Sequence, residues 1–231
     1  LPPGLVQGKM ELVADKEPII YRNFIAGAGS RAIGVGYPEK VNLAFDANEL
    51  RLALIWQGAF IDAARHRIGR GEGYEPPLGD NVVKLPPGAP FAFLVDTNAL
   101  WPDAVGKKAN YQMHGYGLDD QRRPIFLYTF ERIEIEDLPM PVVGEIDNSL
   151  RRGLVLRSER PATNLWFRAA IGSKIEEAPD ETFVVDDKVK MKFGIAENYK
   201  PLVRRSAGRF ELLVPVIFGR KESQIVEEIV W

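Results

Sequence analysis

Apolar and polar residues alternate with a period of two along many stretches of this chain, and runs repeating every three or four positions are scarce. Ile33, Val35 and Tyr37 take one phase of "RAIGVGYP", as side chains do when they fall on one face of an extended strand. The same alternation, or a β-branched and aromatic run, predicts strands over 9–14, 18–25, 31–37, 40–45, 50–56, 91–95, 110–118, 124–130, 132–137, 150–157, 164–171, 181–186, 188–193, 202–206, 209–217 and 223–230. A repeat of roughly 8–14 residues, punctuated by turn residues, suits a sandwich or barrel. The expected fold is mainly β: an antiparallel β-sandwich, with enough strands for an enlarged two-sheet form.

Several joints are readable as chemistry. Asp46-Ala47-Asn48-Glu49 and Asp119-Asp120-Gln121-Arg122-Arg123 separate apolar runs with Asx residues and predict hairpin connections between antiparallel neighbours. The stretches 151–172 and 208–231 each read as strand, polar turn, strand, which makes 223–230 a paired strand rather than a loose tail. The longest irregular stretch is about 63–90, relieved only by a short strand predicted at 81–84. Loops of that length usually carry function or form insertions. The whole of 1–231 is expected to be a single β domain, with 138–149, rich in Pro, Gly and Asx, as the place for a subdomain break.

Charge and composition narrow the function classes. Thirty Lys and Arg nearly balance 32 Asp and Glu, giving a net charge of -2. That balance lacks the basic field that draws in nucleic acid. No apolar run approaches the roughly 20 residues of a membrane-spanning helix. The absence of cysteine excludes a disulfide framework, a thiol nucleophile, a Cys-ligated zinc and covalently attached c-type haem within this chain. No cofactor is therefore expected on it. The start at Leu1, without Met or a basic-then-apolar leader, reads as a mature or excised product.

Gly27-Ala28-Gly29-Ser30-Arg31-Ala32 fits the glycine pattern of a dinucleotide-binding turn. Such a turn needs a helix immediately after it, because the helix N-terminus holds the pyrophosphate. Gly34, Gly36 and Pro38 oppose a helix there, so the motif reads as a glycine-rich turn entering a strand. The adjacent acidic pairs Asp119-Asp120, Glu176-Glu177, Asp186-Asp187 and Glu227-Glu228 read as surface residues, since sequence adjacency does not set two carboxyls face to face across a cleft. No G-x-S-x-G, phosphate-loop or zincin motif occurs.

The richest chemistry falls in 54–77, which brings together Trp56, Asp62, Arg65, His66, Arg67, Arg70, Tyr74 and Glu75. Aromatic faces for stacking, with Arg and carboxylate groups to fix polar atoms, are the components of a saccharide or small-anion site. On that reading Trp56 and Tyr74 stack on a ligand or partner, Asp62 and Glu75 accept hydrogen bonds, and Arg65, Arg67 and Arg70 engage anionic or planar groups. A core role for Trp56 and Phe60 is the competing reading. His66 and His114 are the only histidines. Neither has a partner at metal-ligand spacing, though either could act as a base.

Residues 17–82, 114–137 and 204–216 resemble a β-rich region of large secreted proteins from planctomycete-type bacteria that also carry c-type cytochrome domains. The resemblance implies a periplasmic or extracellular setting and a redox or carbohydrate-related neighbourhood. It also implies a c-type cytochrome domain or subunit, or a saccharide, as partner. Because this chain lacks C-x-x-C-H, any haem would sit on a partner or an adjoining domain. The expected role is a non-catalytic accessory or interaction domain. The alternatives are a carbohydrate-active enzyme, using His66 or His114 with a carboxylate such as Asp62, and a structural subunit of a cytochrome-containing complex presenting Trp101 or Trp231 in an apolar patch.

Overall fold

The computed structural model describes residues 8–64, 73–144, 148–196 and 199–231. Strands dominate, all sheets are antiparallel, and among the described residues the helical element is one 3₁₀ turn, Gly106–Ala109. The sandwich class expected from the alternation is the class observed. No helix is long and apolar enough to cross a membrane among the described residues.

The chain forms two compact units, Leu1–Asp46 with Leu52–Lys84, and Ala47–Arg51 with Leu85–Trp231. The division falls elsewhere than 138–149, whose first residues continue a strand.

In the first unit, β1 (Glu11–Leu12) pairs with β6 (Ile61–Asp62). A five-stranded sheet takes the order β2 (Ile19–Ile25), β3 (Gly29–Gly36), β4 (Val41–Asp46), β5 (Arg51–Gln57), β7 (Asp80–Lys84). The short strand predicted at 81–84 is thus an edge strand on β5. The glycine-rich motif is the β2–β3 turn: Ala28 N–H donates to Ile25 O at 3.0 Å, and β3 follows at once in place of a helix. Gly34 and Gly36 have a packing reason. A Cβ on Gly36 would lie 2.8 Å from Phe60 Cγ, and one on Gly34 2.9 Å from Ile25 Cδ1. The missing side chains are the space in which Phe60 and Ile25 lie on the sheet.

In the second unit, β8 (Phe91–Phe93), β13 (Leu165–Gly172), β17 (Leu202–Ser206) and β18 (Arg209–Pro215) make a four-stranded sheet in the order β17-β18-β13-β8. The eight-stranded sheet runs β14 (Ile175–Glu177), β15 (Phe183–Val185), β16 (Val189–Gly194), β19 (Glu222–Val230), β12 (Ser149–Arg157), β11 (Ile133–Val142), β10 (Pro124–Phe130), β9 (Tyr111–Leu118). The two strand–turn–strand stretches are therefore not hairpins. β12 leads to β13, and β18 to β19, by crossing from one sheet to the other. Alternation marks a strand but not its partner, and loops longer than a tight turn can bridge the roughly 10 Å between packed sheets. The two crossings are joined where Ser158 N–H donates to Lys221 O at 2.9 Å. The expected Asp119 hairpin does form. Asp119 Oδ1 accepts the amides of Gln121 and Arg123, and its Oδ2 accepts Arg123 Nε–H at 2.7 Å. Partial burial pushes that carboxyl up, but the Arg123 bonds outweigh it and hold it below the usual range.

Aromatic contacts stitch the two sheets. Phe93, on β8, meets Phe130, on β10, at 5.5 Å. The Tyr111 hydroxyl, on β9, accepts Phe91 N–H and donates to Phe91 O, on β8. Burial raises its pKa far above the ordinary phenol value. Between the sheets lies a charged group that sequence reading had put outside. Glu227 of the Glu227-Glu228 pair is 1% exposed beside Arg152 (4%) and Asp137 (1%). Arg152 Nε and Nη2 donate to Asp137 at 2.8 and 2.6 Å, Nη1 reaches Glu227 at 3.4 Å, and the guanidinium sits 5.4 Å above the Phe167 ring. Only one of each adjacent pair, Arg151-Arg152 and Glu227-Glu228, faces solvent, because neighbouring strand residues point to opposite faces.

A second network anchors the irregular segment before β9. Glu211 accepts Arg168 Nη1–H and Arg204 Nε–H, each at 2.9 Å. Arg168 also donates to Pro87 O, and Arg204 to Thr97 O and Ala99 O. The Arg168 guanidinium covers Trp101 at 4.7 Å, and Trp101 Nε1–H donates to Ala89 O. Trp101 is consequently a core residue and offers no docking patch, a correction to its reading as exposed. Side-chain cations here satisfy carbonyls that a strand ladder would otherwise pair.

Two predictions follow from these clusters. Burial raises the Glu227 carboxyl from 4.5 to about 7, helped by Asp137 and opposed by Arg152. A carboxyl whose pKa rises on folding contributes most below its unfolded value and loses that contribution as pH climbs toward its folded one. Relative to Glu227→Gln, the wild-type chain should therefore lose on the order of 3 kcal/mol between about pH 4.5 and 7, measured by denaturant titration across that range. Glu211→Ala strands two guanidinium groups in the interior and should cost about 3–5 kcal/mol by the same measurement.

Candidate functional site

The aromatic face of the first unit is set by backbone geometry at the end of β2. The β2–β3 register shifts between Asn23 and Ile25, so Phe24 falls at an irregularity and turns outward. Residues 73–75 run beside it. Glu75 N–H donates to Phe24 O and Ala26 N–H to Glu75 O, both at 2.9 Å, giving a parallel bridge between Ile25 and Glu75. These bonds place Tyr74 next to Phe24, with ring centroids 5.7 Å apart and tilted 38°. Both rings remain exposed, Phe24 at 42% and Tyr74 at 49%. Asn23 Nδ2–H donates to the Tyr21 hydroxyl at 2.9 Å and its Oδ1 accepts Phe24 N–H, so an amide and a phenol lie along the same strand. Exposed aromatic faces beside planar hydrogen-bonding groups can take up the apolar face and hydroxyls of a sugar ring, or an apolar segment of a protein.

The other residues singled out from the sequence separate into several fates. Trp56 is fully buried: it stacks on Phe60 at 5.7 Å with an 8° interplanar angle, and its Nε1–H donates to Ala59 O at 3.0 Å. It is a core residue, which corrects the expectation that it stacks on a ligand or partner. Asp62 Oδ1 accepts the amides of Met10 and Ala64 at 2.8 and 3.0 Å, so it pins β1 to β6. Glu75 contributes through its backbone, and its residue is buried. Arg65, His66, Arg67 and Arg70 lie outside the described residues.

His114 belongs to the second unit, whereas Asp62 belongs to the first. The β9–β10 register pairs Leu127 with Gly115 and Tyr128 with Met113, leaving His114 as the extra residue of a bulge. The bulge turns it to solvent, with Nε2 3.3 Å from Thr129 Oγ1. Among the described residues no group of three or more His, Cys, Asp or Glu side chains is placed to hold a metal ion.

Phe24 was not among the residues flagged from the sequence. Its signal was phase: Ile19, Tyr21 and Ile25 pack into the core of the first unit, and Phe24 stands out of step with them. With the geometry in hand, comparison with known proteins adds no relative: no family model, no curated protein and no solved structure gives a significant match to this chain.

The separation of core from surface aromatics is testable. Trp56→Ala should lower stability by about 3–5 kcal/mol, whereas Tyr74→Ala should change it by less than about 1 kcal/mol. Urea unfolding followed by circular dichroism distinguishes them.

Proposed function

We propose that the chain is a non-catalytic accessory β module that binds through the Phe24–Tyr74 face of its first unit. It serves a secreted redox or carbohydrate-related system. The carrying observation is the pair of exposed rings held side by side by backbone bonds between β2 and residues 73–75. Large apolar side chains are ordinarily scattered singly on a surface. A rigid aromatic pair costs little conformational entropy on binding. The neighbouring Asn23 and Tyr21 groups favour a saccharide as the occupant, and a c-type cytochrome domain is the protein partner to set beside it. The periplasmic or extracellular setting rests on the sequence resemblance. The binding reading also suits Asp62, whose Oδ1 is engaged by two amides and is poorly free to act as an acid or base.

Affinity electrophoresis through gels containing soluble β-glucan, xylan or mannan tests this reading, with a soluble c-type cytochrome assayed in parallel by calorimetry. Retardation in at least one polysaccharide is expected, with Tyr74→Ala and Phe24→Ala each weakening it about 10-fold or more at unchanged thermal midpoint. Binding to the cytochrome alone, lost in the same variants, would assign the face to a protein partner. Binding that survives both substitutions would remove the face from the function.

A further inference from the structure

A concave surface lies in the second unit, where β14, β15 and β16 end. It is a cleft of about 420 Å³ lined by Glu177, Glu181, Phe183, Phe193, Tyr199 and Lys200, among others. A turn and the segment beyond β16 build it. Ala178 N–H donates to Thr182 O and Glu181 N–H to Ala178 O, with Asp180 Oδ2 accepting the Thr182 hydroxyl at 2.8 Å, and this tight β14–β15 turn fixes Glu181. Beyond β16, Tyr199 N–H donates to Ala196 O at 3.3 Å. Lys200 Nζ meets Glu181 at 3.5 Å and ties this segment to the β14–β15 turn.

The chemistry of the lining is uneven in a way that names an occupant. Phe183 and Phe193 lie 6.1 Å apart at 56°, Phe183 buried and Phe193 partly open, and Tyr199 adds a half-exposed ring. Of the three charged groups among the described lining residues, Lys200 and Glu181 offset one another. Glu177 stands opposite Phe183 across the strand pair and has no ion-pair partner among the described residues. The cleft therefore combines aromatic faces with one uncompensated carboxylate, and its complement is a cation with flat apolar faces. A guanidinium meets both demands, stacking on rings while donating to a carboxylate in two parallel bonds. An ammonium is a compact, strongly hydrated point charge and matches only the carboxylate.

We propose that this cleft receives an arginine side chain from a partner polypeptide. The contact is separate in residues from the Phe24–Tyr74 face and does not depend on it.

The test is a titration of the isotopically labelled chain with N-acetyl-arginine N-methylamide, followed by amide and aromatic NMR shifts. The isosteric neutral citrulline derivative and the lysine derivative serve as comparisons. The expected result is saturable shifts at Glu177, Glu181, Phe193–Ala196 and Tyr199, with citrulline and lysine derivatives at least about 5-fold weaker. Glu177→Gln and Tyr199→Ala should each weaken arginine binding about 5-fold or more while leaving the remaining spectrum in place. Glu177 is solvent-exposed, so its amide variant keeps the fold. Absence of saturable shifts, equal binding of the citrulline or lysine derivative, or unchanged binding by Glu177→Gln overturns the proposal.

Discussion

A guanidinium enclosed between two sheets is the constraint around which the second unit is organised. Arg152 is costly to bury unless its donors are answered, and the answering carboxylates come from strands on either side, Asp137 from β11 and Glu227 from β19. The requirement fixes register. A slip of one residue would carry every inward side chain of β12 to the outer face, setting Arg151 among apolar neighbours and taking Arg152 away from both partners. On the outer face the same three strands pair Arg151 with Glu228 and Arg157 with Glu136 and Glu222. Those exposed pairs contribute little each, but they agree with the interior register, so both faces specify one alignment.

The first unit meets its constraint by subtraction. Gly34 and Gly36 withhold side chains from β3, and the freed space is filled by Phe60 and Ile25. The glycines that argue against a phosphate cradle in the sequence are thus part of a packing solution, complementary in shape to an aromatic ring. In the same unit Trp56, Tyr37 and Phe45 are buried with Phe60, whereas Phe24 and Tyr74 stand exposed.

Strand positions were legible in the sequence because period-two alternation is a local property: 124–130 and 202–206 coincide with β10 and β17. Two-residue β6 and the short β14 fell below the length at which alternation can be read. Partner choice was not legible, since nothing in 151–172 distinguishes a hairpin from a crossing between sheets. Adjacent like charges misled for a related reason: Glu227-Glu228 looks like a surface pair until strand geometry sends one member inward. At the candidate site, Tyr74 was visible as an aromatic in a polar loop. Phe24 was hidden inside an apolar strand, where only its phase against Ile19, Tyr21 and Ile25 marks it as outward.

The placement of β19 bears on how the larger sheet can come into being. It lies between β12 and β16, yet it follows every other strand of that sheet in the sequence. While a ribosome is still upstream of residue 222, β9–β12 and β14–β16 are two separate ribbons with no strand to join them, and Arg152 lacks one of its two carboxylates. Joining the two ribbons waits on pairings of high sequence separation, a slow kind of closure during which unpaired strand edges stand open to other chains.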